Sequence, residues 1–148
     1  DDTVSCLARF ESGARGIFEA TRVAWGRPLD WSIELNGSEG TVYFNYANLN
    51  ELWFARGKDE VRTGGFRRIR AESPVHPYAP RWWPPGQGVG YEASFVNQAC
   101  DLLLAWPSGP WSPDFLDAVA SHAVVHAVEE SADEHRWVTV PPRDIRSR

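Results

Sequence analysis

S-P-V-H-P-Y-A-P-R-W-W-P-P-G-Q-G-V-G-Y-E, Ser73 to Glu92, divides this chain into two stretches of different periodicity. Pro74, Pro77, Pro80, Pro84 and Pro85 deny it helix or central-strand hydrogen bonding, and Gly86, Gly88 and Gly90 permit sharp bends. Before it the chain alternates like strands; after it the chain repeats like helices. A loop of this length inside a domain is functional or disordered as a rule. Tyr78, Trp82, Trp83 and Tyr91 call for burial that a disordered segment does not offer, so an ordered loop over one end of a sheet is expected.

On the N-terminal side, Val4, Cys6, Ala8 and Phe10 alternate with polar neighbours and predict a strand ending at Ser12-Gly13. A second strand is predicted from Arg15 to Ala24, with Ile17 and Val23 on one face and Phe18 and Ala20 on the other, as in a sheet covered on both sides. Leu29, Trp31, Ile33 and Leu35 define the clearest strand face, and Asn36 to Gly40 a hairpin turn. The return strand runs Thr41 to Tyr46, followed by strands at Glu51–Ala55 and Phe66–Ala71. Short strands joined by short turns predict an antiparallel meander.

On the C-terminal side, Phe95, Ala99, Leu102, Leu103 and Trp106 mark an amphipathic helix stopped by Pro107 and Gly109. Ser112-Pro113-Asp114 predicts a second helix start with serine as cap. That helix is expected to bury Leu116, Val119, Ala120, Ala123, Val124, Ala127 and Val128 and to reach about Ala132, before a last short strand at Trp137, Val138 and Val140. Strands first and helices later give an α+β class: an open, mainly antiparallel sheet with helices on one face. A single domain over 1–141 and a polar tail over 142–148 are expected, and an apolar sheet face left open implies a partner.

The 148 residues are 43% hydrophobic and 24% charged, ordinary for one globular domain, which at this size buries about 70% of its unfolded surface. A net charge of -5 with dispersed Lys and Arg argues against nucleic acid. No apolar run nears the roughly 20 residues of a membrane span, and D-D-T-V-S is not a signal peptide. Cys6 and Cys100 are expected as free thiols, with a cytoplasmic location as the default.

Motifs are sparse. Gly86 to Gly90 mimics a dinucleotide fingerprint but follows no strand of a βαβ unit and has the wrong third spacing. His122 and His126 lie four apart on a helix without a third ligand and are read as packing residues. Glu92 with Asp101 or Asp114 is read as helix-end electrostatics rather than a catalytic pair. His76 stands apart, as a titratable group among aromatics in a constrained loop, which suits a pocket for a polar ligand; a solvated histidine beside sheet-capping tryptophans is the alternative.

Several segments together resemble a known family. They are A-R-F-E-S-G-A-R-G-I-F-E-A-T-R (Ala8–Arg22), G-S-E-G-T-V-Y-F-N (Gly37–Asn45), W-P-P-G-Q-G-V-G-Y-E (Trp83–Glu92), P-D-F-L-D-A-V (Pro113–Val119) and E-S-A-D-E-H-R-W-V-T-V (Glu130–Val140). In this order they resemble the second domain of the glucose–fructose oxidoreductase / inositol dehydrogenase (Gfo/Idh/MocA) family. The resemblance implies a substrate-binding and oligomerisation domain whose open sheet face joins copies and whose loops line a sugar or polyol pocket. His76, Trp83, Gln87 and Tyr91 are the implied substrate-binding residues, with Arg22 from a strand end. The family's Rossmann domain binds NAD or NADP, and its cofactor fingerprint, E-K-P lysine motif and catalytic Asp–His segment have no counterpart here. No cofactor is therefore expected on this chain alone, no catalytic residue and no metal; a Rossmann partner domain is. Two departures stand out: Gln87 where many relatives have histidine, and Glu134-His135 where glycine usually follows S-A-x. A non-catalytic dimerisation or ligand-binding module of the same fold is the competing expectation.

Overall fold

The computed structural model describes residues 2–27, 29–107, 109 and 111–142. Its contacts fall into two units, one over 1–23 and 101–148 and the other over 24–100.

The first unit holds an antiparallel ribbon of β1 (Thr3–Arg9) and β2 (Arg15–Thr21). Cys6 lies opposite Phe18 and Leu7 opposite Ile17, so the two faces alternate as the pattern requires. β2 ends at Thr21 rather than Ala24: Thr3 pairs with Thr21, and Arg22 N–H bonds to the Asp2 carbonyl. The expected cover on both faces is not found, since Ile17 is 83% exposed and Phe18 is also exposed. Among the described residues no third strand pairs with this two-stranded ribbon.

The second unit holds a four-stranded antiparallel meander, in the order β3 (Ser32–Gly37), β4 (Gly40–Asn45), β5 (Glu51–Arg56) and β6 (Arg67–Arg70). Its register places Ile33 opposite Phe44, Leu35 opposite Val42, Val42 opposite Phe54 and Leu52 opposite Ile69. One face is therefore an apolar stripe across all four strands, because side chains directly opposite share a face. β3 begins at Ser32, three residues later than expected, since β4 gives way at Tyr46 to a 3-10 turn over Tyr46–Asn48. Asn45 drives that change: its Oδ1 accepts from Ala47 N–H at 2.8 Å. β6 is an edge, and its arginines are each paired, Arg67 with Asp59, Arg68 with Glu51 and Arg70 with Glu72. Charges on an edge strand discourage further pairing.

Helix α1 (Tyr91–Ala105) follows the loop, and α2 (Phe115–Glu134) is the longest element. The cap of α2 is Asp114, not Ser112. Asp114 Oδ1 accepts from Leu116 and Asp117 N–H at 2.8 and 3.0 Å, while Asp117 Oδ2 accepts from Asp114 N–H at 2.8 Å. A carboxylate three residues before another closes a reciprocal capping box that Ser112 cannot offer. Ser112 Oγ instead donates to Asp117 Oδ2 at 3.3 Å. The predicted stripe of α2 is only partly covered: Ala127 is buried, while Val119 and Val124 remain exposed.

At its far end α2 closes on His135, left-handed at φ 51° and ψ 40°. Arg136 reaches back to both Glu130 and Glu134. Its hydrogen bond to Glu134, the charge of Glu134 and then that of Glu130 hold the guanidinium pKa above the ordinary arginine value. The predicted strand at Trp137–Val140 does not form. Among the described residues its backbone makes no ladder bond; Trp137 is held instead beneath the Arg9 guanidinium, 4.8 Å from the ring centroid.

Candidate functional site

The loop from Ser73 to Gly90 is built from turns, each specified locally. His76 N–H bonds to the Ser73 carbonyl at 3.0 Å, leaving the His76 side chain on a half-buried turn. Ala79 N–H then bonds to the Pro77 carbonyl at 2.9 Å, a γ-turn centred on Tyr78. Tyr78 has φ 66°, so a bulky residue occupies a conformation costing about 1–3 kcal/mol. A 3-10 turn over Ala79–Arg81 follows, with the Arg81 guanidinium over the Tyr78 ring at 5.3 Å. Pro84 to Gln87 is a further turn, closed by Gln87 N–H to the Pro84 carbonyl at 3.3 Å. Proline second and Gly86 third at φ 96° are what a type II turn demands.

Two amide contacts fasten this loop to the rest of its unit. Trp82 Nε1 donates to Asn97 Oδ1 on α1 at 3.1 Å. Asn50, at the start of β5, donates through Nδ2 to the Val89 carbonyl at 3.0 Å and accepts on Oδ1 from Val89 N–H at 2.9 Å. Between these anchors lie Trp83 and Gln87. Beyond them Tyr91 opens α1, its ring edge-to-face with Tyr46 at 6.1 Å and with Phe95 at 5.0 Å. Tyr46 continues to Trp31 and Phe44, so an aromatic row runs from the β3–β4 hairpin to the helix start.

The sequence-predicted residues are thus placed unequally. His76, Trp83, Gln87 and Tyr91 all belong to the second unit, with Trp83 between two turns and Gln87 closing the second of them. Among the described residues no hydrogen bond or ring contact joins these four to one another. Arg22 belongs to the first unit, exposed just beyond β2. The expected burial of the loop aromatics is not found: Trp83 is 56% and Tyr91 59% exposed. Only Trp82, which has the Asn97 amide as a partner for its indole N–H, is half-buried. Sequence reasoning counted Trp82 among the aromatics that order the loop but passed over Asn50 and Asn97, the amides that hold it. The bracketing of Val89 by Gly88 and Gly90 was the available signal, since glycine marks close approach of another group to the backbone.

Chemically, the loop offers two exposed aromatic faces, an amide and an imidazole, which suit a ligand with apolar C–H faces and hydroxyl groups. An apolar depression in the first unit, lined by Trp111, Pro113, Phe115 and Ala118, contains none of these residues. His122 and His126 are joined by no metal-binding group of three or more His, Cys, Asp or Glu among the described residues. Among those residues no helix is long and apolar enough to cross a membrane.

No family model matches the chain. A curated relative, levoglucosan dehydrogenase of Pseudarthrobacter phenanthrenivorans, is 38% identical over 143 residues, spanning 95% of this chain and 36% of the relative. A solved oxidoreductase domain protein from Kribbella flavida is 43% identical with a TM-score of 0.91 over 96% of this chain. Levoglucosan dehydrogenase in complex with NADH and L-sorbose superposes with a TM-score of 0.90 at 38% identity. Over nearly its whole length the chain matches the C-terminal part of these oxidoreductases, which are Gfo/Idh/MocA-like. It spans about 36–38% of the length of these relatives. The α+β class with open antiparallel sheets is shared with them.

Proposed function

We propose that this chain is the substrate-binding and oligomerisation domain of an NAD-dependent dehydrogenase acting on a sugar, anhydrosugar or polyol. The observation that carries the reading is the 38% identity to levoglucosan dehydrogenase across 95% of the chain. NADH is bound in the solved relatives by proteins more than twice this chain's length, which supports NAD as the cofactor of a larger whole. The cofactor is then held by a Rossmann domain, and this chain supplies substrate contacts rather than a hydride-transfer centre.

In this reading Trp83 and Tyr91 present ring faces to the apolar C–H face of the sugar. Gln87 and His76 exchange hydrogen bonds with its hydroxyls. The open apolar face around Ile33 and Leu35, both exposed, is the surface through which copies associate.

The test is steady-state kinetics on the gene product that carries this segment at its natural length. His76→Ala and Tyr91→Ala are expected to raise the KM for the sugar about tenfold, with the KM for NAD unchanged. Sugar kinetics indifferent to both substitutions would remove the loop from the site.

A further inference from the structure

We infer that Asn50 is a positioning residue for the substrate loop: its side-chain amide pairs with both polar groups of the Val89 backbone and sets where Gln87 and Tyr91 stand. The inference rests on the reading of that loop as the sugar pocket.

The geometry is that of a strand pairing performed by a side chain. Nδ2 donates to the Val89 carbonyl at 3.0 Å and Oδ1 accepts from Val89 N–H at 2.9 Å. A primary amide is the smallest neutral side-chain group that offers a donor and an acceptor side by side. Asn50 is itself fixed, because its own carbonyl accepts from Ala71 N–H at 2.8 Å and the next residue, Glu51, pairs with Arg70 in the sheet. Both Asn50 and Val89 are half-buried, so water competes only partly for the pair.

Gly88 shows how tightly the two fit. A Cβ at that position would lie 2.6 Å from Asn50 Nδ2 and 2.8 Å from its Cγ, a separation that real side chains do not tolerate. Gly88 is therefore the residue that lets the amide reach the loop. With Trp82 tied to Asn97 on the other side, the segment from Trp83 to Gly88 hangs between two amide anchors. Removing the Val89 anchor frees the end that carries Gln87 and leads into Tyr91, and a small displacement of a binding group is felt strongly by affinity.

Asn50→Ala, Asn50→Gln and Gly88→Ala in the natural-length gene product make the test, with two readouts. Hydrogen exchange at the Val89 amide reports the anchor directly. Sugar kinetics report its use. Asn50→Ala is expected to speed exchange at Val89 and to raise the sugar KM about tenfold, with kcat and the KM for NAD near wild type. Gly88→Ala reaches the same contact from the loop side and is expected to do the same, which covers a failure of the Asn50 variants to fold. Asn50→Gln, one methylene longer, recovers the exchange protection only in part.

Unchanged Val89 exchange in Asn50→Ala would overturn the anchor. Faster exchange with an unmoved sugar KM, or a fall in kcat and active fraction alone, would overturn the positioning role and leave a structural one. A wild-type gene product that turns over no sugar, with exchange still responding to Asn50→Ala, would locate the failure in the proposed function and overturn the positioning role with it.

Discussion

At the scale of single residues, Gln87 is the proposed substrate contact whose backbone placement is best defined. Its turn is fixed by Pro84, Pro85 and Gly86, so its position depends little on its own side chain. Histidine, the residue that the resemblance leads one to expect there, offers one donor and one acceptor and also titrates. Gln87→His is expected to fold normally, to shift the sugar KM several-fold and to introduce a pH dependence near neutrality that the wild type lacks at this position. Pre-steady-state and steady-state kinetics across pH check it; a flat, wild-type profile would mean that the side chain does not meet substrate. The prolines and glycines of the loop were legible in the sequence because their backbone restrictions are local. The Asn50–Val89 pair joins residues 39 apart in sequence, and no periodicity or turn rule encodes such a contact.

At the scale of elements, the ends of α2 are the clearest points of local stability. Asp114 satisfies two of the helix's orphan N–H groups, so Asp114→Ala is expected to cost about 1 kcal/mol. Thermal unfolding checks this; an unmoved Tm would mean that the cap is made elsewhere. At the other end His135 occupies a left-handed position, a conformation that glycine most often fills at helix ends. His135→Gly is expected to stabilise by about 0.5–1 kcal/mol, because glycine adopts that conformation without a Cβ penalty. The strand faces and both helices follow from period and punctuation alone, down to the parity of Ile33, Leu35, Val42 and Phe44. Element ends were less legible. β2 ends at its pairing with Thr3 rather than at the last residue of its alternating pattern, and the helix cap moved to Asp114 because Asp117 completes the box. Trp137–Val140 looks like a strand by residue type, yet a strand exists only with a partner, and its tryptophan found Arg9 instead.

At the scale of the whole molecule, the exposed apolar residues of the four-stranded sheet are the feature with the widest consequence. Ile33 and Leu35 on β3 are exposed, as are Leu29 and Trp31 just before it. If copies associate through this face, Leu35→Lys combined with Ile33→Lys is expected to shift the natural-length protein toward monomer in sedimentation velocity, with sheet content unchanged by circular dichroism. An unaltered oligomer would place the contact on another surface. The general class was readable from order alone, since alternating strands precede helical periodicity. Which sheet face stays open depends on register and on what each strand packs against, and those are properties of the assembled chain.

The central claim is that this domain presents sugars to a nicotinamide held elsewhere in the same enzyme. Its most direct test is NADH formation by the natural-length gene product, at saturating NAD, across levoglucosan, sorbose, glucose and inositol. The account predicts saturable, sugar-dependent NADH formation with at least one of them. A folded protein that binds NAD and oxidises none of these would contradict it.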